Sequence, residues 1–485
     1  MNKAIFYIKK PENIIEFWAK LLDENDNIII DVKLSYNNHY GSVSDWYKHT
    51  LKVHDNYSEF TNEIYHYYFM PTIYKFLRFQ EIHKVKQIHF IGEHSDFYIV
   101  AGFFLKNKIS ISGLKLYKLK WGYIAFQKTS LYLKTQILSI VIILFKAIKN
   151  AKLFSYKFNL KNKFALIHSK SSYKNIGKLN LCMTYFYDDV NLKKKPNNDA
   201  VSFYKIIGFI DYLKLIINSF ILIHKVLKRL VKTSDNLIGS YGTTHAMNFF
   251  STRIGHYILI EQSYKNIFSK YSGIEFYSGE RESRYAVLAM KYANISNCFG
   301  IGVPHGIAYS YNFPLKIFGH RYFCFNQNEA NFLNKTYDES KFIFDPDISN
   351  IIYENNSISQ NEKKIVFFTE PRRQSVNFFI IENLTKILKQ TLYIKLHPLE
   401  RAENYKEFKS IKFIEDFNKA IQSNICISRK STILLEAVYN QSKSIALLVD
   451  PQDKFEFENI FPALLDTRIY KCFSFEKLIK QLNKN

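Results

Sequence analysis

Cysteine is scarce and unpatterned in this chain of 485 residues: Cys182, Cys298, Cys324, Cys426 and Cys472 are odd in number, widely spaced and mostly set in apolar runs. That distribution excludes a disulfide framework and predicts reduced core thiols in a reducing cytoplasm. Also lacking is an unbroken apolar run of the roughly eighteen residues that a spanning helix requires. The nearest candidates are 137–145, which is too short, and 206–223, which Asp211 and Lys214 interrupt. An export signal is not expected, because the apolar stretch 4–8 is brief and runs into Lys9, Lys10 and Pro11. No cluster of His, Cys, Asp or Glu has metal-ligand spacing, and no glycine-rich loop ends in Gly-Lys-Ser/Thr. Metal-dependent hydrolases and nucleoside triphosphatases are thereby disfavoured. There is no internal repeat.

What is present is length for two or three domains, an ordinary apolar fraction of 47%, and a formal net charge of +24. The charge is concentrated. Residues 101–235 hold 25 Lys+Arg against 5 Asp+Glu, a net +20, and the rest of the chain is nearly balanced. Within that segment 131–150 and 205–232 read as helices with Leu, Ile and Phe at three- and four-residue steps and lysines at the margins: Lys134, Lys146, Lys149, Lys214, Lys225, Lys228 and Arg229. Two readings are open: a face that binds anionic inner-membrane lipid, at about 1 kcal/mol per well-placed cation, or core helices with a solvated lysine side. Nucleic acid is not expected as a partner, since no recognised module occurs and arginine is sparse here.

The N-terminal part alternates runs that read as buried strands (27–32, 87–91) with an aromatic-rich helical stretch at 58–79; 106–123 alternates as a hairpin would, and 192–200 reads as an exposed loop. From about residue 236 the alternation sharpens. Helix at 247–269, strand at 274–277, helix opening at Gly279-Glu280-Arg281-Glu282, strand at 298–303 and strand at 321–325 lead to a polar linker at 345–363. Strands and helices then alternate regularly from 364 to 448, which implies an α/β fold with parallel strands, helices on both faces, and ligands at the carboxyl ends of the strands. The expected boundary divides an N-terminal domain, 1–345, carrying the basic helical segment 101–235, from a C-terminal domain, 346–485.

Three strand ends carry chemistry. His397 sits where a strand becomes a loop, and Pro398 keeps residue 397 out of the helical region, so the imidazole is directed out of the strand end, where it can donate to a phosphate oxygen. Ser431 and Thr432 open an amphipathic helix, where a hydroxyl caps free N–H groups and the same amides attract an anion. Glu436, one turn on, reads either as a ligand-facing carboxylate or as a core-edge residue. His305-Gly306 follows a third strand, glycine allowing close approach of backbone to a ligand. Gly300-x-Gly302-x-x-x-Gly306 lacks the dinucleotide spacing, so no nicotinamide cofactor is expected. Glu280 and Glu282 stand at another strand-to-helix turn, where a carboxylate suits the helix dipole or serves as a base toward a hydroxyl. Asp345-Pro346-Asp347 reads as a turn before it reads as a metal-binding pair.

The ordered set His305-Gly306, His397-Pro398 and Ser431-Thr432 heading a Leu-Leu-Glu-Ala helix resembles bacterial two-domain glycosyltransferases of surface polysaccharide synthesis. These include capsular and lipooligosaccharide sialyltransferases, capsular Kdo transferases and CDP-glycerol polymerases. The resemblance covers about residues 240–450 and implies a GT-B arrangement, two Rossmann-like domains facing across a cleft. It implies that His397, with Ser431 and Thr432, holds the donor phosphate, and that the base is an acidic residue at 280–282 or His305. The acidic pair of the sialyltransferases is followed by Gly, whereas here Arg281 separates two glutamates. The expected activity is metal-independent, inverting transfer from a nucleotide-activated sugar, CMP-linked, to a lipid-linked or oligosaccharide acceptor, without a cofactor, at the inner face of the cytoplasmic membrane. The alternatives are CDP-glycerol or CDP-ribitol phosphotransfer on the same fold, and a noncatalytic membrane-docking assembly protein.

Overall fold

The computed structural model describes residues 3–10, 15–34, 57–150, 161–192, 195, 199–304, 315–354, 363–371, 373–422, 424–459 and 461–483. Two compact units divide the chain: Met1–Tyr173 with Cys182–Gly302 and Asn312–His320, and Lys174–Leu181 with Val303–Tyr311 and Arg321–Asn485.

In the second unit the short apolar runs of the C-terminal third become the strands of one sheet. In chain order these are β1 (Ile365–Phe368), β2 (Leu392–Lys395), β3 (Ile411–Phe413), β4 (Ile425–Ser428), β5 (Lys443–Leu447) and β6 (Ile469–Cys472). All adjacent pairs are parallel and the spatial order is 3-2-1-4-5-6. Parallel neighbours require crossovers, and helices such as Gln374–Ile387, Ile433–Tyr439 and Pro451–Asn459 supply them. Because both faces are covered, alternate residues of β1 enter different cores. Ile365 and Phe367 pack with Ile380, Leu384 and Ile394, while Val366 and Phe368 pack with Ala420, Cys426 and Ala437. The chain reverses direction in this order between β1 and β4. That switch point leaves a crevice at the carboxyl ends, which is where doubly wound sheets bind ligands. A further parallel pair, Arg321–Cys324 with Phe342–Phe344, belongs to the same unit.

The first unit holds two sheets. One is mixed, with Ile28–Lys33, Glu16–Leu22 and Lys3–Lys9 antiparallel, then Gln87–Ile91 and Ser110–Ser112 parallel. The other contributes five parallel strands in the spatial order Val201–Ser202, Thr184–Tyr187, Lys163–Ile167, Glu275–Ser278, Phe299–Gly302. Here the switch point lies between Lys163–Ile167 and Glu275–Ser278, which places residues 168–169 and 279–280 at its mouth.

Several sequence expectations are corrected. The stretch 106–123 is not a hairpin: it holds the end of helix Ser95–Lys106, the parallel strand Ser110–Ser112, a 3-10 turn and the start of helix Trp121–Asn150. Its alternation reflects a strand too short to turn back on itself. The expected helix 205–232 is two helices, Phe209–Ile217 and Ser219–Phe250, parted at Asn218, whose Nδ2 donates to the Lys214 carbonyl at 2.9 Å. The second breaks again at Gly239, where φ is 69°. Strand Ile28–Lys33 is a half-exposed edge strand, not a buried one. The first part of the expected linker is helix Pro346–Tyr353, capped by Asp345, which accepts from the amides of Asp347 and Ile348. Asp345 therefore serves as the cap of a helix, in place of the expected turn. Much of the loop 192–200 lies outside the described residues. Helix Trp121–Asn150 is, by length and composition, long and apolar enough to cross a membrane, although no strictly unbroken apolar run exists in it. All five cysteines are free, and four are buried.

Candidate functional site

At the exit of β1 the two residues Thr369 and Glu370 hold the loops on either side. Thr369 Oγ1 accepts the amide N–H of His397 at 3.0 Å, and Glu370 Oε1 accepts the amide N–H of Lys430 at 2.8 Å. The loops after β2 and β4 thus flank one dipeptide at the switch point. The strand register brings them there, since Phe368 pairs with Lys395 and Phe367 with Ile427. Behind the His397 loop, Thr369 also donates to Glu400, whose other oxygen accepts from the Tyr405 hydroxyl at 2.6 Å. Asn377 ties in by donating to the Glu370 carbonyl at 2.7 Å.

His397 is half-buried. Its carbonyl accepts from the Glu400 amide at 2.9 Å, closing a turn with Pro398 at the position that its fixed φ favours. Its Nδ1 accepts the Leu399 N–H at 3.2 Å, so in the neutral ring the proton resides on Nε2, leaving that nitrogen a donor. Burial lowers the imidazole pKa below its ordinary value, against the opposing pull of Glu400 and Glu370. A folded-state value below the unfolded one means that the unfolded chain binds more protons between the two. Stability from His397 is thus complete above about pH 6.5, the unfolded value, and is withdrawn as pH falls below it. Nitrogen-detected NMR of the ring is expected to show the Nε2-protonated tautomer of the neutral imidazole above about pH 6.5; an Nδ1-protonated neutral ring would refute the assignment.

Ser431 and Thr432 lead into helix Ile433–Tyr439, which has seven residues. Ser431 Oγ accepts from the Ile433 amide at 3.4 Å, a long bond, whereas Thr432 occupies the N-cap position without a side-chain cap bond. The expected capping by Thr432 is corrected: its backbone is already helical, which turns the hydroxyl from the following amides. Glu436 faces protein, with Lys174 Nζ 3.9 Å from its carboxylate. Burial raises its carboxyl pKa, with Lys174 and Lys178 acting the other way.

Sequence reasoning passed over the largest feature here, a buried ionic cluster beneath Ser431. Arg429 is 0% exposed and bonds Asp453 through two nitrogens at 2.5 and 2.8 Å. Lys430 Nζ lies 3.3 Å from Asp453 and pairs with Glu456. Arg373, in the left-handed region at φ 62°, pairs with Asp450 and approaches Asp453 at 3.4 Å. The available signal was a pair of adjacent cations immediately after a buried strand, matched by Asp453 and Glu456 three residues apart on one helix. These cations are neutralised by protein carboxylates. Among the described residues, the polar groups that this edge can offer an anion include the His397 Nε2–H and the Ser431 hydroxyl.

In the first unit Glu280 stands at the switch point. Its amide donates to Ser278 Oγ at 3.1 Å, and its Oε2 accepts from the Ser283 hydroxyl at 2.6 Å. The expected helix start at 279–282 is corrected to Arg284, with Ser283 as its cap. Gly279 packs so tightly on the 169–172 turn that a Cβ there would come within 2.3 Å of Ser172 Oγ. Glu280 borders a shallow recess with Ser278, Gly302 and Phe318. Glu282 pairs with Arg281, and its carbonyl accepts from Asn62 at 2.9 Å, so it is fixed in structure. His305 and Gly306 lie outside the described residues.

Also unforeseen at this edge is His168, buried and stacked on Tyr285 at 4.4 Å, its Nε2 2.6 Å from the Tyr264 hydroxyl. Asp188 lies 3.8 Å from its Nδ1. Burial pushes the Asp188 carboxyl up, but His168 and the Val190 amide outweigh it and hold the pKa below the usual range. Among the described residues no group of three or more His, Cys, Asp or Glu side chains is placed to hold a metal ion.

Comparison with protein-family models, curated proteins and solved structures finds no match. The functional reading therefore stands on the site's own chemistry.

Proposed function

We propose that the protein is a glycosyltransferase that moves a sugar from a nucleotide donor, CMP-linked sialic acid or a Kdo-type sugar, to a glycan hydroxyl in bacterial surface polysaccharide synthesis. The observation that carries this reading is the His397 loop and the Arg429–Thr432 loop flanking Thr369-Glu370 at the switch point of a 3-2-1-4-5-6 sheet. A GT-B arrangement is the finer form of the proposal; its support is that each unit has parallel strands with such a switch point. In the proposed step the acceptor hydroxyl gives its proton to a base, and its oxygen attacks the anomeric carbon from the face opposite the phosphate. The glycosidic C–O bond to phosphate breaks, the pair of electrons goes to the nucleotide, and the anomeric configuration inverts. The His397 Nε2–H and the Ser431 hydroxyl hydrogen-bond the phosphate oxygen on which charge grows. Of the base candidates among the described residues, Glu280 is favoured over Glu282, which is held by Arg281.

Nucleotide binding is the direct test. CMP at a hundred times its Kd is expected to stabilise the whole protein by about 2.7 kcal/mol in a thermal-shift measurement, with UDP ineffective. A response to CDP with CDP-glycerol turnover would redirect the reading to alditol phosphate transfer. No response to CMP, CDP or UDP would end it.

A further inference from the structure

Helix Trp121–Asn150 has two unlike sides. One is built into the first unit through Thr135, Gln136, Ser139, Ile143, Lys146 and Asn150, all buried. Gln136 reaches the Tyr132 hydroxyl at 3.2 Å, and Lys146 pairs with Asp189 at 2.7 Å. On the opposite side Leu133, Ile137, Val141, Leu144 and Ile148 follow one another at steps of four, four, three and four residues, all exposed, with Ile137 at 63% and Ile148 at 86%. Helix Phe209–Ile217, which packs on it, adds a second exposed row, Ile210, Leu213 and Ile217. Phe220 and Ile221 at the start of Ser219–Phe250 extend it. Three helices that contact one another thus each present large exposed apolar side chains, more than the singly scattered ones of an ordinary soluble surface.

Charge identifies the occupant. Along Ser219–Phe250 the row that begins with Ile221 continues as Lys225, Lys228 and Lys232, all exposed. Lys134, Lys149 and Lys214 are exposed on the other two helices. Trp121–Asn150 has no acidic residue. On the other two, Asp211 accepts from Asn266 at 2.8 Å and Asp235 from Lys128 at 2.8 Å, so both carboxylates are engaged by protein groups. Among the described residues, no carboxylate pairs with Lys225, Lys228 or Lys232, and an apolar face bordered by such cations matches a bilayer surface that carries anionic headgroups.

We infer that this three-helix face seats the protein on an anionic lipid bilayer, with Trp121–Asn150 lying along the interface and not crossing it. Crossing would expose the inward Gln136, Lys146 and Asn150 to hydrocarbon and break the contacts that join this helix to the unit. The inference does not depend on the transferase reading.

Flotation of the full-length protein with vesicles tests it. Vesicles containing phosphatidylglycerol are expected to carry the protein, and phosphatidylcholine vesicles to carry far less. Lys225→Gln/Lys228→Gln/Lys232→Gln should weaken binding about a hundredfold, at roughly fivefold for each cation. Ile137→Ser/Ile148→Ser should weaken it about tenfold per site, with circular dichroism unchanged because both positions are exposed. Absence of flotation by the folded protein, or equal binding by the triple variant, would overturn the inference. So would a dimer in light scattering that the Ile137→Ser/Ile148→Ser variant converts to monomer while vesicles bind neither, since the face would then join two copies of this chain.

Discussion

Replacing His397 with alanine is expected to reduce sugar transfer by about a hundredfold to a thousandfold, the usual cost of losing one preorganised donor to a developing anion. The fold should survive it. The loop is anchored by backbone, through the His397 amide on Thr369 and the His397 carbonyl on the Glu400 amide, and alanine retains both. Its melting temperature should therefore stay close to that of the parent. Single-turnover release of CMP from a CMP-sugar reads the chemistry, and the His397→Asn variant, whose side-chain amide can still donate, should recover part of the rate. Undiminished turnover by His397→Ala would remove the imidazole from the mechanism.

The second large effect concerns stability. Asp453→Ala takes from the fully buried Arg429 the carboxylate that it bonds through two nitrogens, leaving only the more indirect influence of Glu370 and Asp450, and removing one partner of such a pair costs up to about 3–5 kcal/mol. Arg429→Met should cost less, because Asp453 keeps Lys430 at 3.3 Å and Arg373 at 3.4 Å. Hydrogen exchange of the β4 amides, Ile425–Ser428, isolates this sheet from the first unit. Faster exchange in Asp453→Ala than in Arg429→Met is the expected order; equal rates would show that the aspartate does not organise the cluster.

The C-terminal sheet was legible because strands buried on both faces read as short continuous apolar runs between polar turns. Gln87–Ile91 has the bounds that its sequence suggests. Local pattern failed where a single residue redirects the chain. Asn218 parts two helices that share one hydrophobic rhythm, and Ser283 starts a helix that the glutamates before it imitate. His397 and Ser431 stood out by position, at strand ends beside a proline or a helix start. What holds them did not. Thr369 lies 28 residues from His397, Glu370 60 from Lys430 and Asp453 24 from Arg429, and only the strand order brings these partners together. His168 and Asp188 escaped for the same reason, since neither has a local companion that marks it as paired.

Thr369 and Glu370 are neighbours in sequence, yet each grips the amide of a different wall of the crevice. The gap between those walls is accordingly set by the two strand spacings that separate β2 from β4 across β1, about 10 Å. Insertions or substitutions farther along either loop can remodel which molecule is recognised while that spacing stays constant, so specificity can drift without the gauge of the slot being lost.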